Sequence, residues 1–305
     1  MLKTIESTFG NLKYRSLFGL LIFFTIVFQA QSQGAETSLE RGFEIAPAEN
    51  FILHSDEIDQ DFGISITLPK DFSPDNSYPL IVFTDANQNY LSTSLSETNT
   101  DGLQELTQTL LANGAIPKVV LVGIGYPARN YRVRDLTPVQ IPNQPKDMSG
   151  GAHKFAIFIE TEVKPFIYSK VQIDRMNETY LGHSHGGLFG AYVLFNKPEL
   201  FDNYVLSSPS FWYGRSLNGN GEGTSFSFEE QYRRNNTDMA KSVFISMGSE
   251  EGGTMAWDAK RMHDRLESRN YKSLRLGWML FEGESHMSVV RPAFAEGLSF
   301  IFEGR

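Results

Sequence analysis

Apolar residues along this chain fall into two kinds of block that take turns. Short runs rich in β-branched and aromatic residues, at Ile64–Leu68, Leu80–Phe83, Val119–Val122, Thr179–Leu181, Tyr204–Leu206, Val243–Ser246 and Leu274–Phe281, predict strands. The first of them alternates apolar with polar, as an edge or antiparallel strand does. The middle ones are continuous, which suits strands buried on both faces of a parallel sheet. Between them lie helical patterns at Leu103–Ala112, stopped by Gly114, and at His153–Ile167, Gly187–Phe195 and Met255–Ser268, with a last helix expected after His286. This alternation predicts an α/β fold: a mostly parallel central sheet with helices on both faces and function at the carboxyl ends of the strands. Pro127–Gly151 and Phe211–Asn236 break the rhythm and are expected to be surface loops beside the site. No internal repeat or interdomain linker is evident, so a single domain is expected.

The first residues stand apart from that pattern. Lys3, Lys13 and Arg15 precede a mostly apolar run from Leu17 to Phe28, and then comes Ala30-Gln31-Ser32. This is the layout of an export signal, and the run is short for a bilayer span, which needs ~20 residues. We therefore expect residues 1–32 to be removed and residues 33–305 to form the folded domain, with no membrane attachment afterwards. The 305-residue chain has no cysteine, so disulfides and lipid attachment through cysteine are excluded. An exported chain of this kind fits a bacterial periplasm or exterior. Net charge is −9, and it becomes about −11 without the leader, which argues against a nucleic-acid partner.

The chemistry starts at Gly182-His183-Ser184-His185-Gly186, a G-x-S-x-G run between a predicted strand and a predicted helix. That context reads as a nucleophile elbow, in which a tight turn projects the serine above the sheet and glycines clear the space the turn needs. A serine hydroxyl is a poor nucleophile until a base takes its proton and a third group orients the base. His286 follows the last strand pattern and precedes the final helix. The other histidines lie before the elbow (His54, His153), within it (His183, His185) or inside a helical pattern (His263). The acid is expected in the loop Gly248-Ser249-Glu250-Glu251 after the preceding strand, with Glu251 preferred, Glu250 second and Asp258 third. One oxyanion donor is the His185 N–H, and the other comes from Ala86 or Asn87 in the turn after Leu80–Phe83.

Beyond the elbow, several segments carry a resemblance: Val82-Phe83-Thr84-Asp85-Ala86-Asn87, Val122-Gly123-Ile124-Gly125-Tyr126, Arg134-Asp135-Leu136-Thr137-Pro138 and Phe155 to Ile167. It continues with Leu200-Phe201-Asp202, Ser207-Ser208-Pro209-Ser210-Phe211-Trp212, Gly248-Ser249-Glu250-Glu251 and Phe294 to Leu298. Together they resemble the putative-esterase family of α/β-hydrolases, and most of all its siderophore-esterase-like branch. In that branch the acid lies three residues after a glycine, which matches Glu251 after Gly248. One departure is Asp85-Ala86, where many relatives carry Asp-Gly. Since alanine resists positive φ, the oxyanion turn is where the carry-over is weakest.

The resemblance implies a serine hydrolase of carboxylic esters that needs no metal or cofactor and acts on a small-molecule ester such as a siderophore trilactone. Arg134, Trp212 and Tyr213 are candidate substrate-binding residues, although Arg134-Asp135 equally fits a structural ion pair and Trp212 a core residue. An acyltransferase on the same fold and a non-catalytic binding protein with a hydrolase shell are the alternatives.

Overall fold

A computed structural model describes residues 48–87, 102–145 and 147–304, all within one compact unit that spans Phe43–Arg305. The expected export signal lies outside the described residues. Eight strands form one sheet: β1 (Glu49–Ser55), β2 (Gln60–Thr67), β3 (Tyr78–Thr84), β4 (Val120–Gly125), β5 (Ile173–His183), β6 (Asn203–Ser207), β7 (Ser242–Gly248) and β8 (Arg275–Phe281). Their order is β1-β2-β4-β3-β5-β6-β7-β8. The pairs β1–β2 and β2–β4 are antiparallel and the others are parallel. From β3 onward all strands point the same way, so their carboxyl ends share one edge.

The continuous apolar runs are continuous because each strand feeds two cores. Side chains on successive positions of a strand point to opposite faces. Val82, Val122, Tyr180, Leu206 and Ile245 pack on one face, beneath α3 (Ala152–Phe158), α5 (His185–Asn196), α6 (Thr224–Asn235) and α7 (Thr254–Ser268). Their neighbours Ile81, Phe83, Leu121, Leu181, Val205 and Phe244 pack on the other, beneath α1 (Leu103–Ala112) and α8 (Val290–Phe302). The alternating Ile64–Leu68 run is antiparallel, as expected, but lies inside the sheet; the edge beside it is β1, a half-exposed strand with little periodic signal.

Two expectations need correction. Phe211–Asn236 is not all loop, because its second half is the twelve-residue α6. Its buried face includes Thr224, Ser225 and Glu229 beside Phe226 and Tyr232, so apolar periodicity misses it. The fully buried Glu229 is held by both carboxylate oxygens on Arg269 of the neighbouring segment, at 2.8 and 2.7 Å. Within Pro127–Gly151 there is also a short α2 (Arg132–Leu136). The predicted His153–Ile167 helix is one helical stretch with a wide turn over Ile159–Val163 before α4 (Lys164–Tyr168). Pro165, which cannot donate to the residue four back, is the second residue after that turn. Among the described residues no helix is long and apolar enough to cross a membrane.

Candidate active site

Ser184 sits between the end of β5 and the start of α5 with φ 58° and ψ −116°. A non-glycine residue in such a region costs about 1–3 kcal/mol and persists only where its surroundings fix it. Here they do. The Ser184 N–H donates to the Ser207 carbonyl at 3.0 Å, and the Ser184 carbonyl accepts from the N–H groups of Leu188 at 3.0 Å and Ser210 at 3.1 Å. Gly182 is required for close approach, since a Cβ there would stand 2.3 Å from the Gly186 carbonyl.

Glu251 and His286 arrive from the ends of β7 and β8. The loop after β8 crosses directly over Gly248, where a Cβ would lie 2.1 Å from the Glu284 carbonyl oxygen. The Glu250 N–H donates to that carbonyl at 3.0 Å, and the Gly283 N–H to Ser249 Oγ at 2.9 Å, which locks the two loops together. His286 Nδ1 is then 2.7 Å from Glu251 Oε2. The other carboxylate oxygen accepts from Ser208 Oγ at 2.5 Å and from the Gly248 N–H at 2.8 Å. Burial alone would push this carboxyl up, but the hydrogen bonds from His286, Ser208 and Gly248 outweigh it and hold the carboxyl below its usual range. An ionised carboxylate only accepts, so Nδ1 of His286 carries the proton and Nε2 is left as the basic nitrogen.

The ring of His183 stacks beside that of His286, with centroids 4.4 Å apart and planes tilted by 42°. Burial, reinforced by the nearby His286 and Arg132, holds His183 well below its ordinary value, so it is a neutral spacer whose Nδ1 lies 3.1 Å from Ser207 Oγ. Ser184 Oγ lies 3.4 Å from Ser210 Oγ, and among the described residues no hydrogen bond joins it to His286 in this state. Glu250 is exposed, and Asp258 is engaged by Arg215 and Arg261, so neither reaches the imidazole.

On the opposite side of the serine, the turn after β3 lies against the elbow: a Cβ on Gly186 would be 2.9 Å from Thr84 Oγ1. The positive φ in this turn falls on Asp85, at 64°, and not on Ala86, so the alanine is unstrained. Ala86, one of the two expected oxyanion donors, gives its N–H to the Ile124 carbonyl at 3.1 Å, which continues the β3–β4 pairing and removes it from the role. Asn87 is the one left. Its side-chain amide donates to the Tyr126 carbonyl at 3.2 Å and fixes the end of the turn. Beside it is a cleft of ≈ 340 Å³ lined by Phe51, Ile52, Ile64, Asn87 and Tyr126 among others.

The expected Arg134 is turned away from this centre. It is paired with Asp135 at 2.7 Å, bonded to Gln60 and stacked on Tyr131, which makes it part of a structural ion pair. The arginine that sequence reasoning missed is Arg132. Its Nε and Nη2 grip the buried Asp85 at 2.7 and 2.8 Å, and Nη1 is 3.4 Å from Nδ1 of His185. Burial, then the charge of Arg132 and the neighbouring His286, pushes His185 down to about 4. A neutral His185 accepts on Nδ1 from an arginine that only donates, so Nε2 carries its proton. Trp212 and Tyr213 present their rings edge-on to His185 at 6.2 and 6.0 Å, so both stand at the site, Trp212 partly exposed and Tyr213 buried. The signal for Arg132 was Asp85 itself, an acid inside an otherwise apolar strand end that needs a cation.

A strained serine on a strand-to-helix turn, at the carboxyl edge of this sheet, defines an α/β-hydrolase. Solved structures agree on the fold: the BES protein of Bacillus cereus superposes with a TM-score of 0.69 at 29% identity, covering 84% of this chain and 96% of that one. The siderophore hydrolase EstB of Aspergillus nidulans does so with a TM-score of 0.64 at 25% identity, over 84% and 95% of the two chains. Residues 55–297 match the family described as Putative esterase, and the chain belongs to that family of hydrolases. Among curated proteins it is 30% identical over 273 residues to the ferri-bacillibactin esterase BesA of Bacillus subtilis (strain 168), covering 85% of this chain and 90% of the relative.

Proposed function

We propose that this protein is an exported serine hydrolase that opens carboxylic esters through an acyl-enzyme, with a siderophore lactone or a similar small ester as substrate. The observation that carries the reading is the 2.7 Å pair of His286 and Glu251, presented from two strand ends beside a serine held in a strained turn. In the proposed reaction substrate binding turns Ser184 Oγ from Ser210 toward Nε2 of His286, which takes its proton as the oxygen attacks the ester carbonyl. The backbone N–H groups of His185 and Asn87 hold the developing oxyanion. Collapse of the tetrahedral adduct breaks the ester C–O bond, and the imidazolium gives its proton to the leaving alcohol. Water then repeats the sequence on the acyl-enzyme, using the same base, and releases the acid.

Substrate class follows from the relatives and from Arg132. BesA and EstB are named for ferri-bacillibactin and siderophore hydrolysis. At this site Arg132, oriented by Asp85, reaches one side of His185, and Trp212 and Tyr213 stand edge-on to the same ring, which together supply a donor and aromatic surface suited to an anionic aromatic ester.

The test is a p-nitrophenyl ester chain-length series beside ferric and apo catecholate trilactone and methyl ferulate, with and without an added alcohol acceptor. Trilactone opening with release of the free acid is expected. Transfer to the acceptor in place of water would make the protein an acyltransferase, and binding without turnover of any ester would make it a binding protein. Export predicts that mature protein from the cell envelope begins after Ser32.

A further inference from the structure

The last residue of β6 and the three that follow it, Ser207 to Ser210, touch Ser184, Glu251 and the His183 that lies against His286. Ser207 accepts the Ser184 N–H on its carbonyl and meets His183 Nδ1 with its hydroxyl at 3.1 Å. Ser208 donates its hydroxyl to Glu251 Oε1. Pro209 packs where a Cβ on Gly187 would come within 2.9 Å of it, and so fixes the start of α5. Ser210 donates its N–H to the Ser184 carbonyl at 3.1 Å and sets its hydroxyl 3.4 Å from Ser184 Oγ. Ser207, Ser208 and Ser210 are all essentially fully buried, so these hydroxyls are not there to meet water.

Ser208 is the unusual member. Its φ is 44°, a left-handed value that a non-glycine residue adopts at a cost, and its N–H is anchored on the Ser246 carbonyl of β7 at 2.7 Å. A glycine would take this backbone more easily. A serine in its place brings a hydroxyl, and that hydroxyl reaches the buried carboxylate that orients His286. A carboxylate gripped by only one partner can swing, whereas Glu251 is held on Oε1 by Ser208 and the Gly248 N–H and offers Oε2 to the imidazole.

We infer that Ser208 is a positioning residue for catalysis, a fourth member of the relay whose hydroxyl fixes Glu251 so that Glu251 can fix His286. The inference rests on the hydrolase reading above. Other charged or titratable groups around this chain of contacts are the neutral His183 stacked on His286, and Glu250 and Glu284 on the two crossing loops.

The experiment compares Ser208→Gly with Ser208→Ala on the best ester substrate, in the full protein, with thermal midpoints measured alongside. Both variants lack the hydroxyl, and only glycine relaxes the backbone. A positioning role predicts that kcat falls about tenfold in both, with KM within about twofold, while the glycine variant is the more stable of the two. In a Glu251→Ala background, removing the Ser208 hydroxyl should then cost nothing more, because there is no carboxylate left to hold. If glycine restores the activity that alanine loses, or if the losses from Ser208 and Glu251 multiply, the role is structural and the inference is overturned. Ser184→Ala and His286→Ala are run in parallel: if they keep full turnover the hydrolase reading fails, and if they lose it while Ser208→Gly does not, only the Ser208 inference fails.

Discussion

The two sides of Ser184 are built by different means. On the side of β7 and β8, two short loops cross at Gly248 and deliver Glu251 and His286 through a network in which each carboxylate oxygen is occupied. On the side of β3 and β4, the turn at Asp85 is held by a bidentate ion pair reaching in from α2, and its end is fixed by Asn87 on the Tyr126 carbonyl. The first side uses residues whose chemical type and chain order announce them. The second uses a buried acid and an arginine some fifty positions away, with nothing in local sequence to connect them. In this account the first side performs proton transfer, which needs orientation, and the second meets the substrate, which needs charge and shape.

The largest effects should come from breaking the first side. His286→Ala is expected to lower kcat by about 10⁴-fold or more, and Glu251→Gln by about 10²- to 10⁴-fold, with KM little changed in either. Steady-state kinetics on one ester checks both. Equal, small losses would mean that the pair is not the relay.

The contrast between two neighbouring arginines sharpens the second side. Arg132→Gln is expected to raise KM for an anionic aromatic ester about tenfold and to leave a neutral short-chain p-nitrophenyl ester nearly unaffected, while also destabilising the fold because Asp85 loses its partner. Arg134→Gln is expected to cost about 1–3 kcal/mol of stability, read by urea unfolding, with no change in KM for either ester. A KM effect at Arg134 and none at Arg132 would reverse the assignment made from the geometry.

The effect that leaves activity at neutral pH untouched is one of pH on stability. His185 is pushed down to about 4 in the folded protein and titrates near 6.5 when unfolded, so between those values the unfolded chain binds the extra proton. Stability should therefore fall as pH drops from about 6.5 to about 4, by up to about 3 kcal/mol from this group alone. His185→Asn should flatten that part of the curve in urea titrations at stepped pH. An unchanged slope would mean that His185 is not held neutral beside Arg132.

Much of the fold could be read in the chain because the parallel strands are buried on both faces and so appear as unbroken apolar runs. What escaped was polar burial. Helix α6 turns Glu229 inward onto Arg269, and an inward acid has the same letter as an outward one. The edge strand β1 escaped because it is half-exposed and pairs on one side only. At the site, Glu251 was preferred to Glu250 through the resemblance, which puts the acid three residues after a glycine, and Gly248 turns out to be where the β8 loop passes. Ala86 and Asn87 were inseparable by sequence, since only the pairing with Ile124 shows which N–H is already committed. Arg134 stood out by its place in a recognisable segment, yet it is Arg132, two positions earlier on α2, that faces His185.

The central claim is that the hydroxyl of Ser184 becomes a nucleophile through His286, and a fluorophosphonate probe tests it most directly. Peptide mapping by mass spectrometry after labelling should place the adduct on Ser184, with the label absent in Ser184→Ala and formed far more slowly in His286→Ala. An adduct on another residue, or a folded protein that hydrolyses esters while Ser184 stays unlabelled, would contradict the account.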